Sequence, residues 1–138
     1  MTAIETRLRG SFARQTMMQT LGAEMVEAAE GRVVIAAPIA GHVLQQQGAA
    51  HAGLAFSLGD SAAGYSALSV LPEGAEVVTV EMKINLLAPA VGDRLVAEGR
   101  VIRPGRRIVA VAADVFAESE KGRKHVATML GTMVPVEG

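Results

Sequence analysis

GAAHAGLAFSLGDSAAGYSALSVL, residues 48–71, decides the fold. Alanine, glycine, serine and leucine make up most of it, and Asp60 is its single charge. Pro72 and Gly74 close it, so the run reads as one long helix starting near Ala50. Side chains this small suit a helix that other backbone approaches closely. With His51 and Asp60 inside it and few large aliphatics, the run is too polar to span a bilayer. Burying an unpaired charge costs several kcal/mol, so the lone Asp60 needs either a specific partner or a chemical task.

Outward from this helix, turn formers divide the chain. Residues 6–21 place Leu8, Phe12 and Met17 among polar residues, an amphipathic helix ending near Gly22. Residues 23–29 and 32–39, split by Glu30-Gly31, read as a hairpin. After the central helix, strands are expected over 76–87, 94–103, 106–117 and 124–136, divided by Pro89 with Gly92-Asp93, by Pro104-Gly105 and by Lys121-Gly122. In the first, Val78, Val80, Met82, Ile84 and Leu86 alternate with Thr79, Glu81, Lys83 and Asn85, which predicts an antiparallel sheet with one buried face. Wrapping that sheet around the one apolar helix buries both. The expectation is an α+β chain, with residues 1–138 forming a single domain and 1–21 its N-terminal helical segment.

Composition narrows the function classes. Half of the 138 residues are hydrophobic, enough for one compact core. The absence of cysteine removes disulfides, thiolate nucleophiles and sulfur-ligated metals. Thirteen basic and fourteen acidic residues leave a net charge of −1, and aromatics are only 3%, so neither nucleic acid nor an anionic membrane is an expected partner. Residues 1–10 carry Glu5, Arg7 and Arg9 where a secretory signal would be apolar, so a cytoplasmic location is expected. Other catalytic templates fail: no Gly-x-Ser-x-Gly elbow surrounds Ser57, Ser61, Ser66 or Ser69, and His42, His51 and His125 lack zinc-site spacing.

Three runs, Gln45-Gln46-Gln47-Gly48-Ala49-Ala50-His51-Ala52-Gly53, Leu58-Gly59-Asp60-Ser61-Ala62-Ala63-Gly64 and residues 79–90 from Thr79 to Ala90, together resemble the PaaI-like hotdog thioesterases. The shared pattern is a His-Gly-Gly turn, an acid nine residues after that histidine, and a strand ending before a proline. The resemblance implies a hotdog fold, an antiparallel sheet wrapped around one long central helix. It also implies assembly as a homodimer and commonly a homotetramer, and hydrolysis of acyl-CoA thioesters without metal or organic cofactor, coenzyme A being part of the substrate. On this model Asp60 takes the catalytic acid's position as general base or nucleophile. Ala52 supplies the N–H that holds the thioester oxygen, and His51 and Thr79 support. Gln45, or alternatively Gln47, stands where relatives use an asparagine. Ala52 replaces the usual glycine, so a methyl group crowds the acyl path, while Gly53 completes the turn.

The residues support part of this without the analogy. A helix N-terminus offers unsatisfied N–H groups and partial positive charge, which suit a developing oxyanion. Ala52 and Asp60 are eight residues apart, roughly 12 Å along one helix at about 1.5 Å per residue, so they cannot both reach one carbonyl. The acid of one subunit is therefore expected to face the helix start of another. Taken alone, Asp60 reads equally well as a hydrogen-bonding group in a core helix, and His51 as a helix-start cap in preference to a base. Glu81 and Asn85 share a strand face with Thr79, directed to solvent or a neighbouring subunit where Asn85 could touch substrate. Arg103, Arg106 and Arg107 form either a solvated hairpin tip or a grip for CoA phosphates. The rival functions are a non-catalytic acyl-CoA-binding protein and a hotdog enoyl-CoA hydratase or dehydratase.

Overall fold

The computed structural model describes residues 1–138. In chain order the elements are α1 (Ala3–Phe12), α2 (Thr16–Thr20), β1 (Glu24–Ala29), β2 (Arg32–Pro38), a short 3₁₀ turn (Gly41–Val43), α3 (Ala52–Leu68), β3 (Ala75–Leu86), β4 (Arg94–Arg103), β5 (Val109–Ser119) and β6 (Gly122–Glu137). The strands form one antiparallel sheet in the order β1-β2-β4-β5-β6-β3. It curls around α3, which packs on β2 to β6. The core joins Leu54, Leu58, Ala62 and Leu68 of the helix to Ile35, Leu95, Val111, Val115 and Met133 of the sheet. Gly99 on β4 shows how closely helix and sheet meet: a Cβ there would overlap the backbone of Ala62 and Ala63. No helix is long and apolar enough to cross a membrane.

Three expectations need correction. The single helix over 6–21 is broken into α1 and α2, because Gln15 leaves helical geometry (φ −82°, ψ 99°) and turns its side chain onto Tyr65. β5 begins at Val109, not Arg106, so the arginine-bearing turn is longer than the Pro-Gly pair suggests. On β3 the alternation does not run through. A bulge falls between Thr79 and Glu81, where Val80 has no partner on β6. Before it, Val77 packs on the core and Thr79 points toward the helix; after it, Met82 and Ile84 take over the inner face. Val78 and Val80 are therefore exposed instead of buried, and Thr79 does not share a face with Glu81 and Asn85 as the sequence suggested.

The outer sheet face is also less uniformly polar than expected. Val34, Ala36 and Val96 form a second small buried cluster on it. Beside them Arg123 lies over the Phe116 ring (3.6 Å) and pairs with Glu98, while His125 stacks on Phe116 and Asp114 bonds Arg100 (2.8 Å) and His125 (2.9 Å). Burial raises the Asp114 pKa, but the hydrogen bonds from Arg100, Thr128 and His125 and the Arg100 charge outweigh it, leaving the carboxyl below its ordinary value.

Candidate active site

His51 sits just outside α3 in extended geometry (φ −62°, ψ 142°), and its Nδ1 accepts the Gly53 N–H at 2.8 Å. The imidazole thus does the work that Ser or Asp does at most helix starts. With Nδ1 accepting, the neutral ring carries its proton on Nε2. The Gly53 N–H is consumed by this cap. The Leu54 N–H bonds the His51 carbonyl, whereas the exposed Ala52 N–H has no acceptor within the protomer. A free donor at the positive end of a 17-residue helix is suited to a developing negative charge.

The loop before it is held by its own amides. Gln45 Oε1 accepts from the N–H groups of Gln47 (2.5 Å) and Ala49 (3.3 Å), leaving only its NH₂ for another partner. Gln45, Gln47, His51 and Ala52 line one open cavity of about 610 Å³ together with apolar residues including Leu86, Leu87 and Val126.

Asp60 lies two turns further along α3 and opens into a different cavity, of about 220 Å³. It is half-buried. Thr79 donates its hydroxyl to Asp60 Oδ1 at 2.7 Å, across from the edge strand β3. No buried side-chain oxygen or nitrogen lacks a partner, so the other carboxylate oxygen, which has no hydrogen bond within the protomer, is not fully buried. Ser11, Gln15, Ser61, Tyr65 and Glu76 complete the lining. Burial pushes the Tyr65 hydroxyl above its ordinary pKa, outweighing its hydrogen bonds with Ser11 and Gln15, so it stays a neutral O–H.

The residues singled out from sequence thus fall into three places. Gln45, Gln47, His51, Ala52 and Gly53 gather at the helix start, and Asp60 and Thr79 gather at mid-helix. Asn85 is on the outer sheet face with Lys83, Arg100 and Thr128, away from both. Arg103 at the end of β4 and Arg106 and Arg107 in the β4–β5 turn are exposed. Arg106 lines a cavity of about 960 Å³ with Val70, Leu71 and the C-terminal residues, at the far end of α3 from Ala52. Sequence reasoning missed Ser11, Gln15, Tyr65 and Glu76. Tyr65 alone had a signal, as the one tyrosine of the chain set in a helix of small residues, where a buried hydroxyl needs a partner.

Residues 47–123 match the model of the Thioesterase superfamily. Among solved structures, a thioesterase family protein from Silicibacter pomeroyi is 38% identical, superposes with a TM-score of 0.96, and is matched over 99% of this chain and 100% of its own. The PaaI protein from the phenylacetic acid degradation operon of E. coli, 23% identical with a TM-score of 0.86 over 98% of this chain and 94% of its own, shares the fold. A protein of Halobacterium salinarum named as a candidate esterase is 30% identical over 109 residues, 75% of this chain and 72% of its own. With a core helix wrapped by an antiparallel sheet, a free amide at the helix tip and a family match across both, the chain belongs to the Thioesterase superfamily and has its PaaI-like hotdog fold.

Proposed function

We propose that the protein hydrolyses acyl-CoA thioesters at a site shared by two protomers, with Asp60 of one subunit facing the Ala52 N–H of the other. The observation that carries this reading is that donor and acid sit on one helix, roughly 12 Å apart, and open into separate cavities. Each protomer holds two half-sites and no whole one. The unpaired edge of β3 supports assembly: it runs twelve residues, carries exposed Val78 and Val80, and lies at the end of the sheet beside Thr79. Such an edge favours pairing with another chain.

In this site Asp60 takes a proton from water as the water oxygen attacks the thioester carbonyl carbon. The carbonyl oxygen becomes an oxyanion held by the partner's Ala52 N–H. The C–S bond then breaks, and the departing thiolate receives the proton from Asp60, giving free acid and CoA. Attack by the carboxylate itself, through a mixed anhydride that water cleaves, yields the same products. Thr79 fixes the carboxylate in either route. The hydratase alternative would need His51 and Asp60 to work as a pair on one substrate. A shared site would bring the partner's His51 as near to Asp60 as the partner's Ala52, but His51 Nδ1 is already occupied by the Gly53 N–H.

Two inactive variants test the shared site. Asp60→Asn removes the acid. Ala52→Pro replaces the N–H with the ring Cδ and leaves the helix standing, because proline is tolerated at the first helical position and His51 already has the extended geometry that a residue before proline requires. Each variant alone should release little thiol from acyl-CoA. A mixed dimer places both lesions in one site and leaves the other intact, so co-refolded variants should recover about half the wild-type activity per mixed dimer, as expected for sites built across an isologous interface. No recovery, with mixed dimers demonstrated, would refute the shared site.

A further inference from the structure

The cavity beyond Asp60 has a polar end wall that the reaction scheme does not use. Tyr65 receives a hydrogen bond from Gln15 Nε2 at 3.0 Å and lies 3.0 Å from Ser11 Oγ, while Ser61 Oγ reaches Gln15 Oε1 at 3.4 Å. Ser11 and Gln15 come from α1 and the link to α2, which therefore do more than cover the core. Gln15 abandons helical geometry to make these contacts. Hydroxyls can donate and accept together, so the wall retains capacity for one more hydrogen bond from a group in the cavity. The cavity also has a sign. Asp60 and Glu76 line it and no lysine or arginine does; Arg14, the base close enough to act on Tyr65, is exposed and outside the lining. A carboxylate-tipped acyl group would meet two acids there. Tyr65 is five residues after Asp60, roughly 7.5 Å along the helix, about the reach of a six-carbon acyl chain from its carbonyl.

Building on the thioesterase reading, we infer that this cavity selects acyl groups ending in a neutral hydrogen-bonding group such as a hydroxyl, with Gln15 and Tyr65 as the specificity-determining residues. A site that hydrogen-bonds its substrate's hydroxyl rejects the analogue lacking it more strongly than an apolar pocket rejects a size change.

The test is kcat/KM on three CoA esters of equal chain length: ω-hydroxyhexanoyl, hexanoyl and adipoyl. The wild-type protein should prefer the hydroxylated ester over hexanoyl by about tenfold or more, and adipoyl should be poorest, consistent with loss of a positioned hydrogen bond. Tyr65→Phe and Gln15→Leu should each bring the hydroxylated-to-plain ratio to within about threefold of one. Damage to folding would lower both rates and leave that ratio standing, so the ratio reports recognition alone. A wild-type ratio near one, or a ratio unchanged in both variants, would overturn the inference while leaving the hydrolase reading intact. No thiol release from any of the three, nor from a wider acyl-CoA panel, would overturn the hydrolase reading and this inference with it.

Discussion

The cavity at the start of α3 is walled by Ala49, Ala50, Ala55, Leu86, Leu87, Ala90 and Val126, while the cavity around Asp60 is walled by Ser11, Gln15, Ser61, Tyr65, Glu76 and Thr79. The same helix serves both. Its start presents an unused, exposed N–H beside Gln45, Gln47 and His51 on a mostly apolar wall, where its pull on nearby charge would strengthen once a partner subunit excluded water. Its middle presents a carboxylate that the Thr79 hydroxyl orients, in a cavity lined with further hydroxyls. On the proposed reading, one helix holds both electrostatic halves of a hydrolytic site and is unable to use them alone, because its own length keeps them apart.

The comparison is most directly broken at the acid. Asp60→Asn should cut turnover by about 10²–10⁴-fold, the usual worth of a positioned general base, with the assembly still folded by circular dichroism and gel filtration. Near-normal rates would show that the polar cavity is not the chemical half. Next is Ala52→Pro, expected to cost about 10²–10³-fold in kcat, since one oxyanion donor is lost. A variant that kept its rate would mean that the helix tip does not hold the thioester oxygen. Thr79→Val removes the 2.7 Å bond to Asp60 and should lower kcat by about tenfold with KM little changed. His51→Ala separates a cap from a base: it should cost about 1 kcal/mol in chemical denaturation, while the pH–rate profile keeps its shape. A vanished basic or acidic limb would reassign His51 to the chemistry.

Asp114 supplies the control with the least effect on either cavity. Its pKa is lowered in the folded state, so its contribution to stability is present above the ordinary carboxyl value of 3.8 and is lost as pH falls through the folded pKa. Asp114→Asn should therefore reduce stability at neutral pH, narrow the gap to wild type in acid, and leave kcat/KM unchanged.

Much of the fold was legible because glycine and proline punctuate it. Pro72 with Gly74, Gly92-Asp93 and Lys121-Gly122 mark breaks that the backbone respects. The break after α1 has no such mark. It depends on Gln15 meeting Tyr65, fifty positions away, and local pattern cannot register a partner at that distance. The β3 bulge was hidden for a different reason: Val78-Thr79-Val80-Glu81 alternates so regularly that nothing in it announces an unpaired residue. At the site, Asp60 and the helix start were readable from one charge in an uncharged run and from the family pattern. Alternation along β3 placed Asn85 on a face directed to solvent or a neighbouring subunit, and it does point outward with Lys83 and Arg100, whereas the arginine reading came from residue type without knowledge of which helix end they occupy.

Val80 sets β3 apart from every ordinary strand in what it can tolerate during evolution. The two halves of the strand obey opposite parity, odd positions inward before the bulge and even positions inward after it. Removing one residue there would merge them into a single parity. If the pairing of residues 82–86 with β6 were kept, Thr79 would still face Asp60, because its Met133 partner already adjoins the Glu81–Thr132 pair and only the bulge would vanish. Loss of one residue should therefore be tolerated at this position of the strand, where it costs a bulge and leaves Thr79 and Asp60 in place.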